Sequence, residues 1–203
     1  MNKVAENYNK IYSDNKTVFG PEPSQFTKNL LKYISAGYVL DIGAGEGKNS
    51  IFLAENGFNV TAIDISRIAI EKISKLAEEK SLNIETEVAD IKDFNFSHNY
   101  DVIIANLIFH HLSKDETLMI IKNIKSHTRS GGLNLINAIT KEGDFYKDNP
   151  TTDKFFSSQG EIKSIYSDWE ILEFQSRKWE AFQKRKDGSS MLNISEEIIV
   201  RNS

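Results

Sequence analysis

VLDIGAGEGKNS, at residues 39–50, is the stretch that decides the fold. Residues 38–42 form an apolar run that is too short for a helix and rich in branched side chains, which predicts a buried parallel strand. Helical spacing returns over residues 49–55 and ends at Asn56-Gly57, a common C-terminal stop. A strand, a glycine turn and a helix in this order indicate a nucleoside-type ligand, because glycine permits positive φ and a close approach of the backbone.

Spacing separates the ligand classes that use such a turn. A phosphate loop requires glycine where Ile42 stands and a hydroxyl side chain where Asn49 stands. A dinucleotide turn requires its third glycine where Lys48 stands. The observed pattern is D-x-G-x-G-x-G over residues 41–47, and its leading carboxylate favours a cationic ligand over a phosphate.

This pattern resembles the first motif of class I S-adenosylmethionine (SAM) methyltransferases. The resemblance implies SAM as cofactor and S-adenosylhomocysteine (SAH) as product. A non-catalytic SAM-binding module and a nicotinamide oxidoreductase are the alternatives, and Lys48 disfavours the second. In this motif the predicted cofactor contacts are Asp41, Gly43, Ala44, Gly45, Gly47 and Asn49.

Length and composition narrow the class of protein further. The chain has 203 residues, enough for one globular domain with a sizeable core. It has no apolar run of about 20 residues and no apolar signal core at its start, so we expect a cytoplasmic protein without a membrane partner. Zero cysteines exclude disulfides, thiolate metal sites and a cysteine nucleophile, and a net charge of −4 disfavours nucleic acid as a partner. The oligomeric state stays open.

The rest of the chain alternates strand and helix patterns. Further strands are predicted at residues 58–63, 84–89, 100–105 and 133–139, with helices at 68–80, 114–127 and 159–166. Residues 129–132 predict a tight turn and residues 141–150 a loop. A final antiparallel pair is predicted at residues 169–176 and 194–201, with Asp187-Gly188 as a turn signal. The predicted fold is α/β: a Rossmann-like, doubly wound, mostly parallel seven-stranded sheet with an antiparallel C-terminal hairpin and helices on both faces.

Acidic residues follow the second and third predicted strands. Asp64 comes 21 positions after Gly43, near the interval at which a carboxylate meets a ribose in nucleoside-binding units. Ile65 is then expected against the adenine face, and the alternative is that Asp64 or Ser66 only caps the next helix. After the third strand, Asp90 is expected to accept the adenine amino group and the Ile91 backbone N–H to meet a ring nitrogen, unless Asp90 is a turn residue.

The fourth strand leads to Asn106 and Leu107, which we expect to border the methionine moiety of the cofactor. The Asn/Asp-Pro-Pro-Tyr signature of enzymes that methylate exocyclic amines of bases is absent from residues 106–109. His110 and His111 follow as an adjacent pair that can titrate near neutral pH. Either is a candidate general base or a ligand to a metal-bound substrate, although the pair alone is no metal site. The alternative is a cap of the next helix.

Residues 1–37 precede the first strand and form a predicted helical extension of the domain at residues 38–203. Helical spacing covers residues 3–14, loops are predicted at 14–16 and 20–23, and Ser24 is a predicted N-cap of a helix that reaches Gly37. In class I methyltransferases such a segment often folds over the cofactor as a lid. Tyr8, Tyr12 and Phe19 either serve such a lid, with Tyr12 as a cofactor contact, or pack the extension onto the sheet.

Later segments resemble the tellurite-resistance methyltransferases of the TehB type. The similar stretches are residues 47–58, 130–136 and 160–170. The resemblance implies SAM-dependent methylation of tellurite, selenium oxyanions or another small nucleophile such as a thiol. The resembled enzymes carry a His-Arg pair in the late hairpin where this chain has Phe182-Gln183, and apolar residues where it has His110-His111.

The late hairpin is also strongly basic. Five cationic side chains lie within ten residues, and they either form a solvated strand edge or attract an anionic substrate. They are Arg177, Lys178, Lys184, Arg185 and Lys186.

Overall fold

The computed structural model describes residues 2–13 and 17–203, apart from the Gln183 side chain, so the predicted loop at 14–16 lies outside it. Within these residues, seven strands form one sheet in the order β3-β2-β1-β4-β5-β7-β6. The first five pair in parallel, and β7 lies antiparallel between β5 and β6. The strands are β1 (Tyr38–Ile42), β2 (Asn59–Asp64), β3 (Ile84–Val88), β4 (Tyr100–Asn106), β5 (Thr128–Ile139), β6 (Glu170–Lys184) and β7 (Ser190–Arg201).

Helices cover both faces of the sheet, and the predicted architecture is confirmed. Apolar side chains of α2, α3 and α4 pack against one face, and those of α5 and α7 against the other. No helix in the described part of the chain is long and apolar enough to cross a membrane. The helices are α1 (Lys3–Tyr12), α2 (Gln25–Leu30), α3 (Lys48–Glu55), α4 (Arg67–Glu79), α5 (Lys114–Ser126), α6 (Asp144–Lys147) and α7 (Glu161–Ile165).

The central strands read as unbroken apolar runs because both of their faces are buried. In β4, Val102 and Ile104 contact the α2–α3–α4 side, while Ile103 and Ala105 contact the α5–α7 side. Alternation along a strand sends successive side chains to opposite faces, so a doubly covered strand has no polar face. Burial on both sides fixes the position of the carboxyl ends of β1, β2 and β4.

Serine side chains cap the N-termini of three helices. Ser24 and Ser66 accept hydrogen bonds from Thr27 N and Ala69 N, at 3.0 and 3.2 Å. Ser113 forms a capping box with Glu116 at the start of α5. Such caps satisfy backbone N–H groups that have no partner inside the helix. The N-cap predicted at Ser24 is confirmed.

Four predicted boundaries are wrong. The helix after Ser24 ends at Leu30 instead of Gly37, and the predicted loop at 141–150 contains α6. Residues 129–132 continue β5 instead of forming a turn. The β4–β5 register shifts between Tyr100 and Val102, and the Gly131 N–H donates to the Asn202 carbonyl, so these residues form an irregular end of the strand. The hairpin strands are also longer than predicted, since pairing extends to Lys184 and Ser190 beside the predicted Asp187-Gly188 turn.

Candidate functional site

A cavity of about 790 Å³ opens beyond the carboxyl ends of the parallel strands. It lies where β1 is flanked by β2 on one side and β4 on the other, so the connections run in opposite directions from this point. Doubly wound sheets bind ligands in the crevice at this switch in strand order. Residues from the glycine turn, from the strand ends, from α1 and from the β6–β7 hairpin line the cavity.

Asp64 joins the glycine turn to the start of α4. Its Oδ2 accepts the Gly45 N–H at 2.8 Å, and its Oδ1 accepts the Ser66 N–H at 2.8 Å. Burial raises the pKa of the carboxyl group, and these backbone hydrogen bonds oppose the rise. The helix cap itself is the Ser66 side chain. Asp64 therefore lines the cavity with both oxygens held in place, and each oxygen keeps a further lone pair.

Most of the predicted cofactor residues line this one cavity, and their contact with a cofactor stays a prediction. Leu107 has φ of +57°, which is uncommon outside glycine and marks a constrained backbone at the cavity wall. The Asn49 side chain accepts the Ser24 N–H and the Thr27 hydroxyl, at 3.1 and 3.0 Å. The lining residues among the predicted set are Tyr12, Gly43, Ala44, Gly45, Asn49, Asp64, Ile65, Asp90, Ile91, Asn106 and Leu107.

Asp41 and Gly47 lie behind the turn and outside the cavity lining, and their predicted contact with the cofactor stays a prediction. The Asp41 carboxylate is buried and accepts the Ser50 hydroxyl at 2.6 Å, so it holds the first turn of α3 against β1. Gly47 has φ of +82°, and a Cβ there would lie 2.6 Å from Ile73. Both residues therefore stabilise the turn through contacts with the helices, on the side away from the cavity.

Asp41→Asn is expected to stabilise the protein at neutral pH. Burial raises the pKa of Asp41 from 3.8 to about 6, against the hydrogen bond from Ser50. The folded state therefore favours the protonated acid: its stabilising effect is complete below pH 3.8 and is lost as the pH rises through about 6. We expect the variant to gain about 2 kcal/mol over the natural chain at pH 8, and less at pH 5, because Asn must pair again with Ser50.

Urea unfolding at pH 5 and pH 8 measures this difference. Asp153→Asn, in an exposed loop, is the matched control and should show the same difference from the natural chain at both pH values. An Asp41→Asn variant whose stability relative to the natural chain does not change with pH would contradict the assignment of Asp41 as the buried titrating group.

His110 and His111 lie in a single 3₁₀ turn (Phe109–His111) at the cavity wall, with ring centroids 3.9 Å apart. The His111 Nε2 lies 2.8 Å from the Tyr8 hydroxyl. Burial lowers the pKa of His111 to about 4 and that of His110 well below its usual range, so both rings are neutral at pH 7. The helix-cap interpretation is wrong, since Ser113 caps α5. Among the described residues, no three His, Asp or Glu side chains are placed to hold a metal.

The segment before β1 lies along the cavity. Tyr8, Tyr12 and Phe19 line it, and the Tyr8 and Tyr12 rings stack at 5.6 Å. Asn9 anchors α1 by accepting the Ser66 hydroxyl at 2.7 Å. Phe19 then meets Phe182 of the hairpin edge-to-face at 5.8 Å. These contacts connect the extension to both sides of the cavity mouth, and a lid role for residues 1–37 stays a proposal.

Sequence reasoning missed the polar residues that β5 and β7 contribute to the cavity. Asn137 donates to the Asn106 and Glu197 side chains at 2.9 and 3.0 Å, and Glu197 also accepts from Gln175. Glu197 is only 2% exposed. The sequence did contain a signal for these polar residues: two adjacent glutamates, Glu196 and Glu197, within the apolar strand 194–201. A buried acid requires hydrogen-bond partners, so polar residues are expected beside it.

Some cations of the basic hairpin fit the interpretation of a solvated strand edge, and one fits the attraction of an anionic substrate. Arg185 pairs with Asp144 and Asp148 at 2.9 and 2.6 Å, and Lys184 pairs with Glu180. Of the five cations only Arg177 lines the cavity. Lys48 and Lys154 also line it, and they donate to the backbone carbonyls of Phe19 and His111.

Comparisons with known proteins agree with this geometry. A family model described as "Tellurite resistance protein TehB" matches residues 6–192. The "Probable S-adenosyl-L-methionine-dependent methyltransferase TehB" of Haemophilus influenzae is 36% identical over 158 residues, which is 78% of this chain and 54% of that protein. This chain therefore spans about half the length of that curated relative.

Two solved structures share the fold. The crystal structure of TehB from Haemophilus influenzae matches with a TM-score of 0.79 at 29% identity, covering 98% of this chain and 67% of that one. The N-methyltransferase NodS from Bradyrhizobium japonicum, crystallised with SAH, has a TM-score of 0.74 at 16% identity and covers 99% of each chain. The second likeness concerns the fold alone.

Proposed function

We propose that this chain, which belongs to the tellurite-resistance TehB family of class I SAM-dependent methyltransferases, binds SAM and transfers its methyl group to a small-molecule nucleophile. The observation that carries the proposal is Asp64, a carboxylate at the cavity held by the Gly45 and Ser66 N–H groups, both at 2.8 Å. Its remaining lone pairs can accept both ribose hydroxyls, a bidentate contact that a neutral side chain copies poorly.

The polar and apolar residues that line the cavity support cofactor binding there. Bound SAM supplies a methyl group already activated on a sulfonium. The chain's contribution is then to hold the donor and the acceptor in line and to exclude water. In the proposed arrangement Ile65 covers the adenine face, Asp90 and the Ile91 N–H meet its edge, and Asn106 and Leu107 border the methionine part.

The acceptor is proposed to lie over β5, β7 and β6, beyond the cofactor residues. The candidates are a tellurium or selenium oxyanion and a thiol, both soft nucleophiles that need little base catalysis. Arg177 and Lys154 at the wall of this region would attract an anionic nucleophile. A hydroxyl or amine acceptor would need a base, for which His111, and next His110, are the candidates.

Binding and turnover test this function separately. We expect the purified chain to bind SAH by calorimetry and to be stabilised by SAH but not by NADH in a thermal-shift assay. We also expect it to release SAH with tellurite, selenite or a thiol. No SAH release with any acceptor in a wide metabolite panel would refute transfer. Tight SAH binding without turnover would favour the alternative, a non-catalytic SAM/SAH-binding module.

Tyr8→Phe tests the role of His111. The pKa of Tyr8 is raised to about 12 by burial and by Asp64, so its hydroxyl is protonated at pH 7 and donates to Nε2 when the neutral His111 ring carries its proton on Nδ1. Removing this donor raises the pKa of His111, because the bond stabilises the neutral ring. We expect kcat/KM to change by less than about threefold with a thiolate acceptor and by about tenfold with a hydroxyl or amine acceptor.

Long-range ¹H–¹⁵N NMR of the imidazole nitrogens reports the His111 tautomer and pKa in the same variant. Tyr33→Phe removes another tyrosine hydroxyl, one that donates to Glu173, and is the control. An unchanged His111 spectrum in Tyr8→Phe would contradict the assigned hydrogen bond.

A further inference from the structure

Aromatic side chains surround the part of the cavity that the cofactor residues leave open. Phe19 comes from the segment before β1, Phe145 from α6, and Trp179 and Phe182 from β6. We call these four residues the aromatic wall. Elements far apart in the chain thus place rings around one space, and none of these residues belongs to the predicted adenosine or methionine contacts.

Two rings of the aromatic wall are exposed. Phe182 is 59% exposed and Phe19 44% exposed, although the two rings meet edge-to-face at 5.8 Å. Large aromatic rings left in water at the rim of a cavity are typical of ligand-binding grooves, because a ligand removes their apolar surface from water. Their position at the mouth suits a planar, apolar ligand.

Several polar atoms behind the wall are paired with each other, although the Asn137 Oδ1 atom has no hydrogen-bond partner among the described residues. The Trp179 indole N–H donates to the Ser195 hydroxyl at 3.2 Å, and Asn137 donates to Glu197 at 3.0 Å. The Arg177 guanidinium lies 3.8 Å from Glu197. Apart from the Asn137 Oδ1 atom these groups do not require a polar ligand, and Lys154 and Arg177 line the region together with Glu180 and Glu197.

The volume also exceeds what a small inorganic acceptor needs. The cavity measures about 790 Å³. The aromatic wall lines a part of it that none of the predicted cofactor contacts lines, which leaves a place for a ring-containing molecule. An inorganic oxyanion would leave the aromatic wall without contacts.

We propose that the methyl acceptor is an aromatic thiol whose ring lies against the aromatic wall, an inference that rests on the proposed function. The thiolate sulfur attacks the methyl carbon, a new S–C bond forms, and the sulfonium S–C bond breaks with its electron pair returning to the cofactor sulfur. The anionic thiolate and the cationic sulfonium are converted into an aryl methyl sulfide and SAH. Both reacting sulfur atoms are neutral in the products, and no oxidant or reductant is required.

The state of the nearby histidines agrees with this acceptor class. Burial lowers the pKa of His111 to about 4, so the ring is a weak proton acceptor at neutral pH. Aromatic thiols ionise near neutral pH without a base, whereas aliphatic thiols and phenols stay largely protonated. The Lys154 cation at the cavity wall further favours the thiolate.

Phe182→Ala is the decisive variant because the ring is exposed and its loss leaves the core intact. Leu192→Ala removes another exposed apolar side chain, 54% exposed on the neighbouring β7 and outside the cavity lining, and serves as the control. Both variants should unfold at the temperature of the natural chain. Two readouts are made: the ratio of kcat/KM for thiophenol to that for 2-mercaptoethanol, and binding of thioanisole to the SAH-saturated protein by calorimetry.

We expect Phe182→Ala to lower the kcat/KM ratio and the thioanisole affinity about tenfold each, and Leu192→Ala to leave both within about twofold. Using a ratio removes the intrinsic reactivity of the two thiols. Equal values in the natural chain and Phe182→Ala would overturn the proposal, as would turnover of selenite or tellurite without turnover of thiophenol. If thioanisole binds in a Phe182-dependent manner while no acceptor is methylated, the aromatic site is supported and the proposed transfer fails.

Discussion

Asp64→Asn is expected to lower the affinity for SAH about 100-fold, a loss of about 2.7 kcal/mol. The carboxylate has one acceptor oxygen for Gly45 N and one for Ser66 N, at 2.8 Å each, with lone pairs left for the ribose. Asparagine has a single acceptor oxygen, so one of these backbone N–H groups would face an NH₂ group. We therefore expect an additional loss of about 1–3 kcal/mol in the free energy of unfolding.

Calorimetric titration with SAH, on variants whose folding is verified by circular dichroism, measures the effect. Asp90→Asn is the matched comparison, because Asp90 also lines the cavity and its two oxygens likewise accept one hydrogen bond each, from Lys92 N and the Asn2 side chain at 3.1 Å, while it is proposed to accept only the adenine amino group. We expect about a fivefold loss there. An Asp64→Asn protein that binds SAH within threefold of the natural chain would refute the ribose assignment.

The pH dependence of SAH affinity gives an independent check on Asp64. Burial raises the pKa of its carboxyl group, and only the ionised form offers all of its oxygen lone pairs as acceptors. Affinity is therefore expected to fall with decreasing pH, beginning at a higher pH than for an ordinary aspartate. The same titration of Asp64→Asn should lack this dependence.

The sheet and the placement of the proposed cofactor residues around one cavity could be predicted because their determinants are local. β1 and the first turn of α3 lie within one short stretch, and Asp64 follows at a fixed interval. Burial of both sheet faces forces apolar runs that are visible in the sequence. The turn, the strand end and the proposed ribose carboxylate are therefore all encoded within about thirty residues of a βαβ unit.

Asp41 shows where a motif stops being informative. The pattern identifies the residue but cannot say whether its side chain faces the ligand or the helix behind the turn. In the structure the Ser50 hydroxyl donates to Asp41 at 2.6 Å, so the carboxylate contacts the first turn of α3. The same limit applies to Gly47, which makes room for Ile73 of α4.

The proposed acceptor half could not be predicted because it is built by pairs that are distant in sequence. Tyr8 and His111 are 103 positions apart, and Asn137 and Glu197 are 60 apart. Phe182 enters the site only because the hairpin strands extend beyond the predicted ends. Strand length and register of an antiparallel pair depend on cross-strand contacts, which a single sequence does not reveal.

Gly43→Ala is expected to reduce SAH affinity about 100-fold. Gly43 has φ of +68°, and a Cβ at this position would lie 2.3 Å from the Ile108 Cγ2 atom. The turn cannot move away freely, since Gly43 N donates to Ile63 O at 2.9 Å. The left-handed backbone adds about 1–2 kcal/mol for any residue with a Cβ. The clash and the strain together displace the loop that the cofactor tail is proposed to occupy.

A double-mutant cycle with Ile108→Ala separates these two causes. Removing the Ile108 methyl groups eliminates the clash, so the double variant should recover about tenfold of the lost affinity relative to Ile108→Ala alone, and the remainder reports backbone strain. Gly188→Ala is the control: φ there is +83° and no atom lies within 4 Å of the added Cβ, so it should lower stability without changing SAH affinity. If the Gly43 and Ile108 effects are simply additive, the close contact between them does not limit the loop. In that case the left-handed backbone alone must explain why glycine is required at residue 43.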